Sequence, residues 1–186
     1  MDGPRRQRPA RPPRRPPPQA PPANAAASAL PTLRTKADVD AAILTTEDRV
    51  LALRFGRQGD PACLATDNVV RLFFFFLFAT GLEKAAPALR RMAAVCLVDV
   101  DAVPEYASYF EIEFIPSTVF FFNAHHVKVD CGTPDHTKFV GPVATKQDFI
   151  DLVETVYRGA MRGKPIVDCP IDPARIPRFE LYYGEQ

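Results

Sequence analysis

The chain has 186 residues and a formal net charge of +1, a length typical of one domain with extensions. The near-neutral total conceals two parts of opposite charge. Residues 1–31 contain ten prolines and six arginines against one acid, and the rest of the chain carries 17 basic and 21 acidic residues. An acidic folded part excludes bulk electrostatic attraction as a basis for binding nucleic acid.

The N-terminal segment, residues 1–29, is of low complexity and has no apolar periodicity. It also lacks the apolar core of a secretory signal. This composition predicts a disordered or polyproline-like tail. An Arg-rich tail of this kind is compatible with RNA contact, a nuclear address, Pro-rich ligands for a partner, or a dispensable solvated extension.

The folded sequence begins near Leu30 and predicts alternating strands and helices, then a hairpin and a last helix. In order, the predicted elements are a weak strand near Leu33, a helix from Thr35 to about Thr46, a strand over 50–55, a helix from Asp60, a helical piece over 83–91, a strand over 94–100, a short helix over 104–110, a buried strand ending at Phe122, an edge strand over 127–130, and a helix from Thr145 that Gly159 ends as a C-cap. This order predicts an α/β fold with a central mixed sheet and helices on both faces. We expect one domain over residues 30–160, with residues 161–186 as an extension packed on it.

Three helix starts carry local signals. Thr35 with Asp38, and Thr145 with Asp148, are variants of the capping box. Asp60 followed by Pro61 places an N-cap carboxylate before a proline at the first helical position. These signals fix where the predicted helices begin.

Residues 72–81 form a Phe-rich run without helical or strand periodicity, and the run is too short to span a bilayer. One interpretation is a buried extension of the preceding helix. We favour another: Phe and Leu codons are pyrimidine-rich, and a pyrimidine tract precedes the end of an intron. The run is then an insert translated from intron sequence, which sequencing of the transcript decides.

The stretch over 114–122 is a continuous apolar run opened by Pro116. It is typical of a strand buried on both faces, and it resembles the cis-proline strand of the thioredoxin fold. The resemblance implies a cis bond between Ile115 and Pro116, because cis peptides are essentially confined to X-Pro bonds.

Thioredoxin chemistry needs a Cys-x-x-Cys pair at a helix N-terminus, where the helix dipole lowers the pKa of the first thiol. In this chain the corresponding residues read Asp60-Pro-Ala-Cys63. Asp60 can cap the helix but can neither attack a disulfide nor form one. Cys63 is expected to be packed inward, and its alternative role is that of a lone redox sensor.

The remaining candidate residues give weaker signals. His125, His126, Cys131 and His136 lack zinc-ligand spacing, so we expect surface histidines and no metal or cofactor. Asp135 beside His136 suggests general-base pairing, but no nucleophile accompanies them and turn chemistry explains the aspartate equally well. The four cysteines, Cys63, Cys96, Cys131 and Cys169, are widely spaced and predict free thiols in a reducing compartment.

A cationic run follows the last predicted helix. Arg158, Arg162 and Lys164 complement the negative end of the helix dipole in one interpretation and bind a partner in the other. Beyond them, the proline-punctuated C-terminus ends in several spaced aromatic residues. Such a tail packs back on the domain or docks on a partner.

Several long strings together resemble one known family. They cover residues 97–101, 114–123, 135–141, 146–152 and 157–164. These strings, with the Asp-Pro-x-Cys at 60–63, are similar to the Dim-type thioredoxin-like proteins of the spliceosome, and their details match the 4B branch of that family. The resemblance extends from about Leu30 to the C-terminus, with the exception of residues 72–81; the Pro/Arg tail is not part of the family pattern.

The resemblance implies a nuclear, non-catalytic adaptor in pre-mRNA splicing that binds tri-snRNP proteins, the Prp-six-type scaffold among them, and that self-associates. Asp60, Cys63 and Pro116 then form a vestigial thioredoxin site with no catalytic residue. We expect partner contacts at Asp135 and His136 and at the cationic run, and no membrane binding or base-specific RNA binding. The alternative function is a thiol-disulfide oxidoreductase or a lone-cysteine redox sensor.

Overall fold

The computed structural model of the chain describes residues 30–79, 92–133 and 135–176, and for residues 73–79 it describes the backbone alone. The predictions for the tail over 1–29 and for a helical piece over 83–91 lie outside the described residues. So does the aromatic end of the C-terminal extension, residues 177–186.

The described residues form seven strands, four α-helices and one 3-10 helix. The elements up to β5 and the helix α4 follow the predicted order, whereas β6, β7 and the 3-10 helix were not predicted. The elements are β1 (Thr32–Leu33), α1 (Lys36–Thr45), β2 (Val50–Gly56), α2 (Pro61–Ala79), β3 (Ala93–Asp99), α3 (Pro104–Tyr109), β4 (Ser117–Phe122), β5 (His125–Asp130), β6 (Phe139–Val140), α4 (Lys146–Ala160), β7 (Ile166–Asp168) and the 3-10 helix Pro173–Arg175.

The strands form one mixed sheet in the order β1-β3-β2-β4-β5-β7, and β6 pairs with β4. The strands β1, β3 and β2 are parallel, whereas β4 is antiparallel to both β2 and β5. The bond between Ile115 and Pro116, just before β4, is cis as predicted. This topology with its cis proline is the thioredoxin-like fold, which confirms the expectation from the sequence.

Two apolar layers cover the two faces of the sheet because successive strand residues point to opposite sides. In β2, Val50 and Ala52 pack in the layer that includes α2 and α4. Leu51, Leu53 and Phe55 pack in the other layer, which includes α1 and α3. Burial on both faces explains why β2 and β4 are apolar almost throughout.

The capping boxes at the starts of α1 and α4 are present as predicted. The hydroxyl of Thr35 accepts the backbone N–H of Asp38 at 3.1 Å, and that of Thr145 accepts the N–H of Asp148 at the same distance. In each box the aspartate carboxylate accepts the backbone N–H of the threonine in return. Two donors at each helix N-terminus are therefore satisfied.

Two predictions about the C-terminal part are wrong. β5 is not an edge strand, because β7 pairs with it in parallel on the side away from β4. Gly159 does not end α4, which continues to Ala160. Gly159 is required for space, because a Cβ atom there would overlap the side chain of Val167 in β7. The left-handed glycine beyond the helix is Gly163, with φ of 74°.

The Phe-rich run continues α2, whose backbone is helical from Pro61 to Ala79. Residues 80 and 81 lie outside the described residues. A helical backbone agrees with the interpretation of a helix extension, and the origin of the run from intron sequence stays a prediction. Of the helices in the described residues, none is long and apolar enough to cross a membrane.

Candidate functional site

The candidate site lies at the end of the central strands, where β2 ends and β4 begins. Phe55 near the end of β2 is opposite Ser117, the first residue of β4. The loop after β2 leads to Asp60 and the N-terminus of α2, and the residue before Ser117 is the cis Pro116. The fold therefore brings Asp60 and Pro116 to the same end of the sheet, as in a thioredoxin site.

Asp60 caps α2. Its carboxylate oxygen Oδ1 accepts the backbone N–H of Cys63 at 2.9 Å, and its carbonyl accepts the first intrahelical bond, from Leu64. The hydrogen bond from the Cys63 backbone lowers the pKa of the Asp60 carboxyl. Asp60 is thus an ionised cap at neutral pH, in the place where thioredoxin chemistry requires an attacking thiolate.

Cys63 is a free thiol with only 1% of its surface exposed. Burial raises the pKa of this thiol, and the neighbouring Asp60 raises it further. A Cβ atom on Gly56 would overlap both the sulfur of Cys63 and the guanidinium of Arg54. The thiol is therefore enclosed against the end of β2 and protonated, which leaves it a poor nucleophile.

A buried ion pair that was not among the predicted site residues lies beside Cys63. Arg54 of β2 and Asp67 of α2 are each 5% exposed. Nε of Arg54 donates to Oδ1 of Asp67 at 2.8 Å, and Nη2 donates to Oδ2. The sequence signal is an arginine inside an otherwise apolar strand, because a buried charge requires a partner.

Asp135 and His136 lie in the loop between β5 and β6. The Asp135 carboxylate pairs with Lys138 and accepts the N–H of Thr137 at 2.7 Å. Burial opposes ionisation, but these hydrogen bonds outweigh it and lower the pKa of Asp135. Nδ1 of His136 lies 3.3 Å from a carboxylate oxygen of Asp130. Asp135 therefore stabilises its own loop, in agreement with the interpretation as turn chemistry.

The adjacent histidines of β5 point in different directions. His125 is exposed, but His126 is partly buried between the rings of Phe110 and Phe121, so the prediction of surface histidines is wrong for His126. Burial lowers the pKa of His126, and its Nε2 lies 2.7 Å from the carbonyl of Thr137. Among the described residues, no group of three or more His, Cys, Asp or Glu is placed to hold a metal ion.

The cationic run lies at the C-terminal end of α4 and in the turn that leads to β7. Arg158, Arg162 and Lys164 are exposed, and Arg158 pairs with Glu154 one helical turn earlier. The backbone N–H of Lys164 donates to the carbonyl of Gly159 at 3.0 Å. The turn is thus held by backbone bonds while its side chains extend into solvent.

An aromatic groove of about 460 Å³ lies on the opposite side of the sheet from α4, between α1, α3 and β5. It was not predicted, because its residues come from four separate elements, β4 among them. Its lining residues are Lys36, Ile43, Glu105, Tyr106, Tyr109, Phe110, Phe121 and His126. Burial, together with the hydrogen bond to Asp40, raises the pKa of Tyr106 to about 12.

The sequence of the chain is similar to that of named proteins over most of its length. It is 55% identical over 156 residues to Thioredoxin-like protein 4B of Homo sapiens, which covers 84% of this chain and 97% of that protein. It is 35% identical over 150 residues to Mitosis protein dim1 of Schizosaccharomyces pombe, with 81% and 97% covered. It is 33% identical over 147 residues to Spliceosomal protein DIB1 of Saccharomyces cerevisiae, with 79% and 94% covered.

A family model described as Mitosis protein DIM1 matches residues 29–173. The match includes both the Asp-capped helix at Asp60 and the cis proline at position 116. The resemblance seen in the sequence is confirmed: this chain belongs to the DIM1 family.

Proposed function

We propose that this protein is a non-catalytic, thioredoxin-like adaptor of pre-mRNA splicing that binds protein components of the tri-snRNP in the nucleus. The observation that carries the proposal is Asp60, an ionised helix cap in the position of the attacking thiol. A thioredoxin-like domain without that thiol retains a surface for binding and loses the chemistry.

The alternative of a thiol-disulfide oxidoreductase is disfavoured by the same site. Reduction of a disulfide requires an attacking thiolate and a resolving thiol. Asp60 supplies neither, and Cys63 is buried with a raised pKa. A lone-cysteine sensor at Cys63 is disfavoured for the same reason, because oxidation follows thiolate character and exposure.

Family membership supports the splicing role. One relative is named as a spliceosomal protein and another as a mitosis protein, and we extend the spliceosomal association to this chain. The partner we propose is the Prp-six-type scaffold of the tri-snRNP, together with self-association. We expect no base-specific RNA binding, because the folded part of the chain is acidic.

We propose that the cationic run forms the docking surface for an acidic patch on the partner. Arg162 and Lys164 extend from a turn that the backbone of α4 holds in place. Since Arg158 is paired with Glu154, its charge is partly offset, and its role is to extend the surface along the helix. His136, in the loop on the other side of β5, is a further candidate for contact with the partner. Asp135 is a weaker candidate, because its carboxylate already pairs with Lys138.

Affinity purification of the full chain from nuclear extract tests the docking proposal. We expect tri-snRNP proteins to be recovered, and the reversal R158E/R162E to reduce their recovery several-fold. The matched control is R34E/K36E, which reverses two exposed cations at the start of α1. Equal losses for the two double variants would refute the assignment of the surface, and recovery of no splicing protein by the folded wild type would refute the function.

An insulin-reduction assay tests the absence of chemistry separately. The wild type is expected to show no turnover above buffer, because no thiol is placed to attack. Asp60→Cys supplies the missing thiol and is expected to restore weak activity. Disulfide turnover by the wild type would contradict the non-catalytic proposal even if the splicing proteins are recovered.

A further inference from the structure

Two of the four cysteines lie side by side at the ends of neighbouring parallel strands. Cys131 directly follows β5, and Cys169 directly follows β7. The last residues of these strands, Asp130 and Asp168, are opposite each other in the ladder. The backbone N–H of Cys169 donates to the carbonyl of Asp130 at 2.8 Å, so the pairing continues to the two cysteines.

The two thiols are close enough to interact and are not bonded to each other. Both are free cysteines, and their side chains share a hydrogen bond. Neighbouring strands lie about 4.8 Å apart, within the Cα separation of about 4.4–6.8 Å that a disulfide requires. The strand pairing therefore holds these residues at a spacing that a disulfide can bridge without a change of register.

The pair is asymmetric in exposure and in charge. Cys131 is 7% exposed, whereas Cys169 is partly exposed at the rim of the same apolar layer. The hydrogen bond from Cys131 lowers the pKa of the Cys169 thiol against the opposing effect of burial. The same hydrogen bond, together with burial, raises the pKa of Cys131. Cys169 is thus the attacking thiol and Cys131 the resolving thiol.

We propose that Cys131 and Cys169 form an oxidation site of this protein, at which exchange with glutathione disulfide produces a reversible intramolecular disulfide. The Cys169 thiolate attacks one sulfur of glutathione disulfide, the S–S bond breaks, and one glutathione leaves as a thiolate that takes up a proton. Cys131 then loses its proton to solvent and attacks the sulfur of Cys169. The second glutathione leaves, so that two protein thiols are oxidised and one glutathione disulfide is reduced to two glutathiones.

The other two cysteines do not meet these conditions. Cys63 is enclosed beside Asp60, and burial raises its pKa. Cys96 lies in β3, in the apolar layer on the other face of the sheet, and burial raises its pKa as well. The oxidation site is consequently selective for one pair. It does not depend on the proposed splicing role.

The product would join the end of β5 to the end of β7 and close the segment 132–168, which contains α4. Such a bond restricts the unfolded chain and thereby stabilises the folded one. The bond would also hold β7, the strand that follows the cationic run, against β5. The oxidation state of the pair therefore affects the stability of the part of the fold between β5 and β7.

The test uses the full folded chain incubated with glutathione disulfide, blocked with N-ethylmaleimide and analysed without reduction by mass spectrometry. We expect one disulfide-linked peptide pair that contains Cys131 and Cys169, and its loss after dithiothreitol. The melting temperature of the oxidised chain is expected to rise by about 5 °C or more. Cys96→Ser is the matched control and is expected to retain both the linked peptide and the thermal shift.

Two variants separate the steps. Cys131→Ser is expected to stop at a mixed disulfide of glutathione on Cys169, with no thermal shift. Cys169→Ser removes the attacking thiol and is expected to leave Cys131 unmodified. Absence of the linked peptide in the folded wild type, its formation only in urea, or linkage of another cysteine pair would overturn the proposal; these three outcomes do not require the variants to fold.

Discussion

A buried charged pair lies beside Cys63, close to the helix N-terminus that Asp60 caps. Arg54 and Asp67 are both nearly inaccessible to solvent and meet through two parallel hydrogen bonds. A buried pair of this kind repays its desolvation only when both partners are present. Gly56 is the residue that leaves space for the guanidinium beside Cys63.

Loss of one partner should therefore be costly. We expect Asp67→Asn to lower the free energy of unfolding by about 3 kcal/mol, because the Arg54 charge remains buried without a counter-ion. Urea denaturation followed by circular dichroism measures the change. The matched control is Asp101→Asn, which removes the partner of Arg57 in an exposed pair and should have little effect. If both variants lower the free energy of unfolding by the same small amount, the buried pair contributes no more to stability than the exposed pair, and the prediction is wrong.

Sequence reasoning found one half of this site and missed the other for a physical reason. Asp60 and Pro116 carry local signals, since a cap and a proline act on the backbone next to them. The partner of Arg54 is 13 residues away on a different element. Only the packing of α2 on β2 brings the two together, and no local pattern encodes that packing.

At the scale of elements, α4 is fixed at both ends by contacts with the segment that follows it. At its N-terminus the Asp148 carboxylate closes the capping box with Thr145 and also pairs with Arg175 of the 3-10 helix. At its C-terminus Gly159 lets β7 approach closely. The chain after α4 thus stabilises this helix at both of its ends.

The stabilisation that the Asp148 carboxylate provides should depend on pH. Burial alone would raise the pKa of this carboxyl, but hydrogen bonds from Thr145 and Arg175 outweigh it and lower the pKa. A lowered folded-state pKa means that the stabilisation is present above the unfolded-state pKa of about 3.9 and is lost as the pH falls through the folded-state value. We expect Asp148→Asn to be less stable than the wild type at neutral pH.

The difference between wild type and Asp148→Asn should shrink as the pH falls below about 4, and urea midpoints at a series of pH values measure it. Asp151→Asn, on the exposed side of the same helix, hydrogen-bonds only to Gln147 among the described contacts and serves as the control. A pH-independent difference between wild type and Asp148→Asn would contradict the argument.

Element order and helix starts were predictable, whereas the C-terminal part of the sheet was not. β7 has three residues, too few to show a strand periodicity. Its place beside β5 depends on the turn after α4. Gly159 was mistaken for a C-cap because a glycine near a helix end has that role most often. Its actual role depends on a strand that begins seven residues later.

At the scale of the whole molecule, the described residues between Leu30 and Ile176 already form two apolar layers, one on each face of the sheet. From the composition of residues 1–29 we expect their removal to leave the cooperative melt and its midpoint unchanged. The composition of that segment offers too little apolar surface to offset the entropy of ordering it. Thermal melts of the full and truncated chains test this, and loss of cooperativity on truncation would contradict it.

The outer strands of the sheet set a limit on how this protein can associate. Within the described residues the two edges are formed by β1, with two residues, and β7, with three. Edges this short offer an incoming chain very few backbone hydrogen bonds, which is a common protection against unwanted strand addition. A partner or a second copy of the chain that approaches these two edges finds few backbone groups to pair with, so its recognition there depends on side chains, which substitution can change.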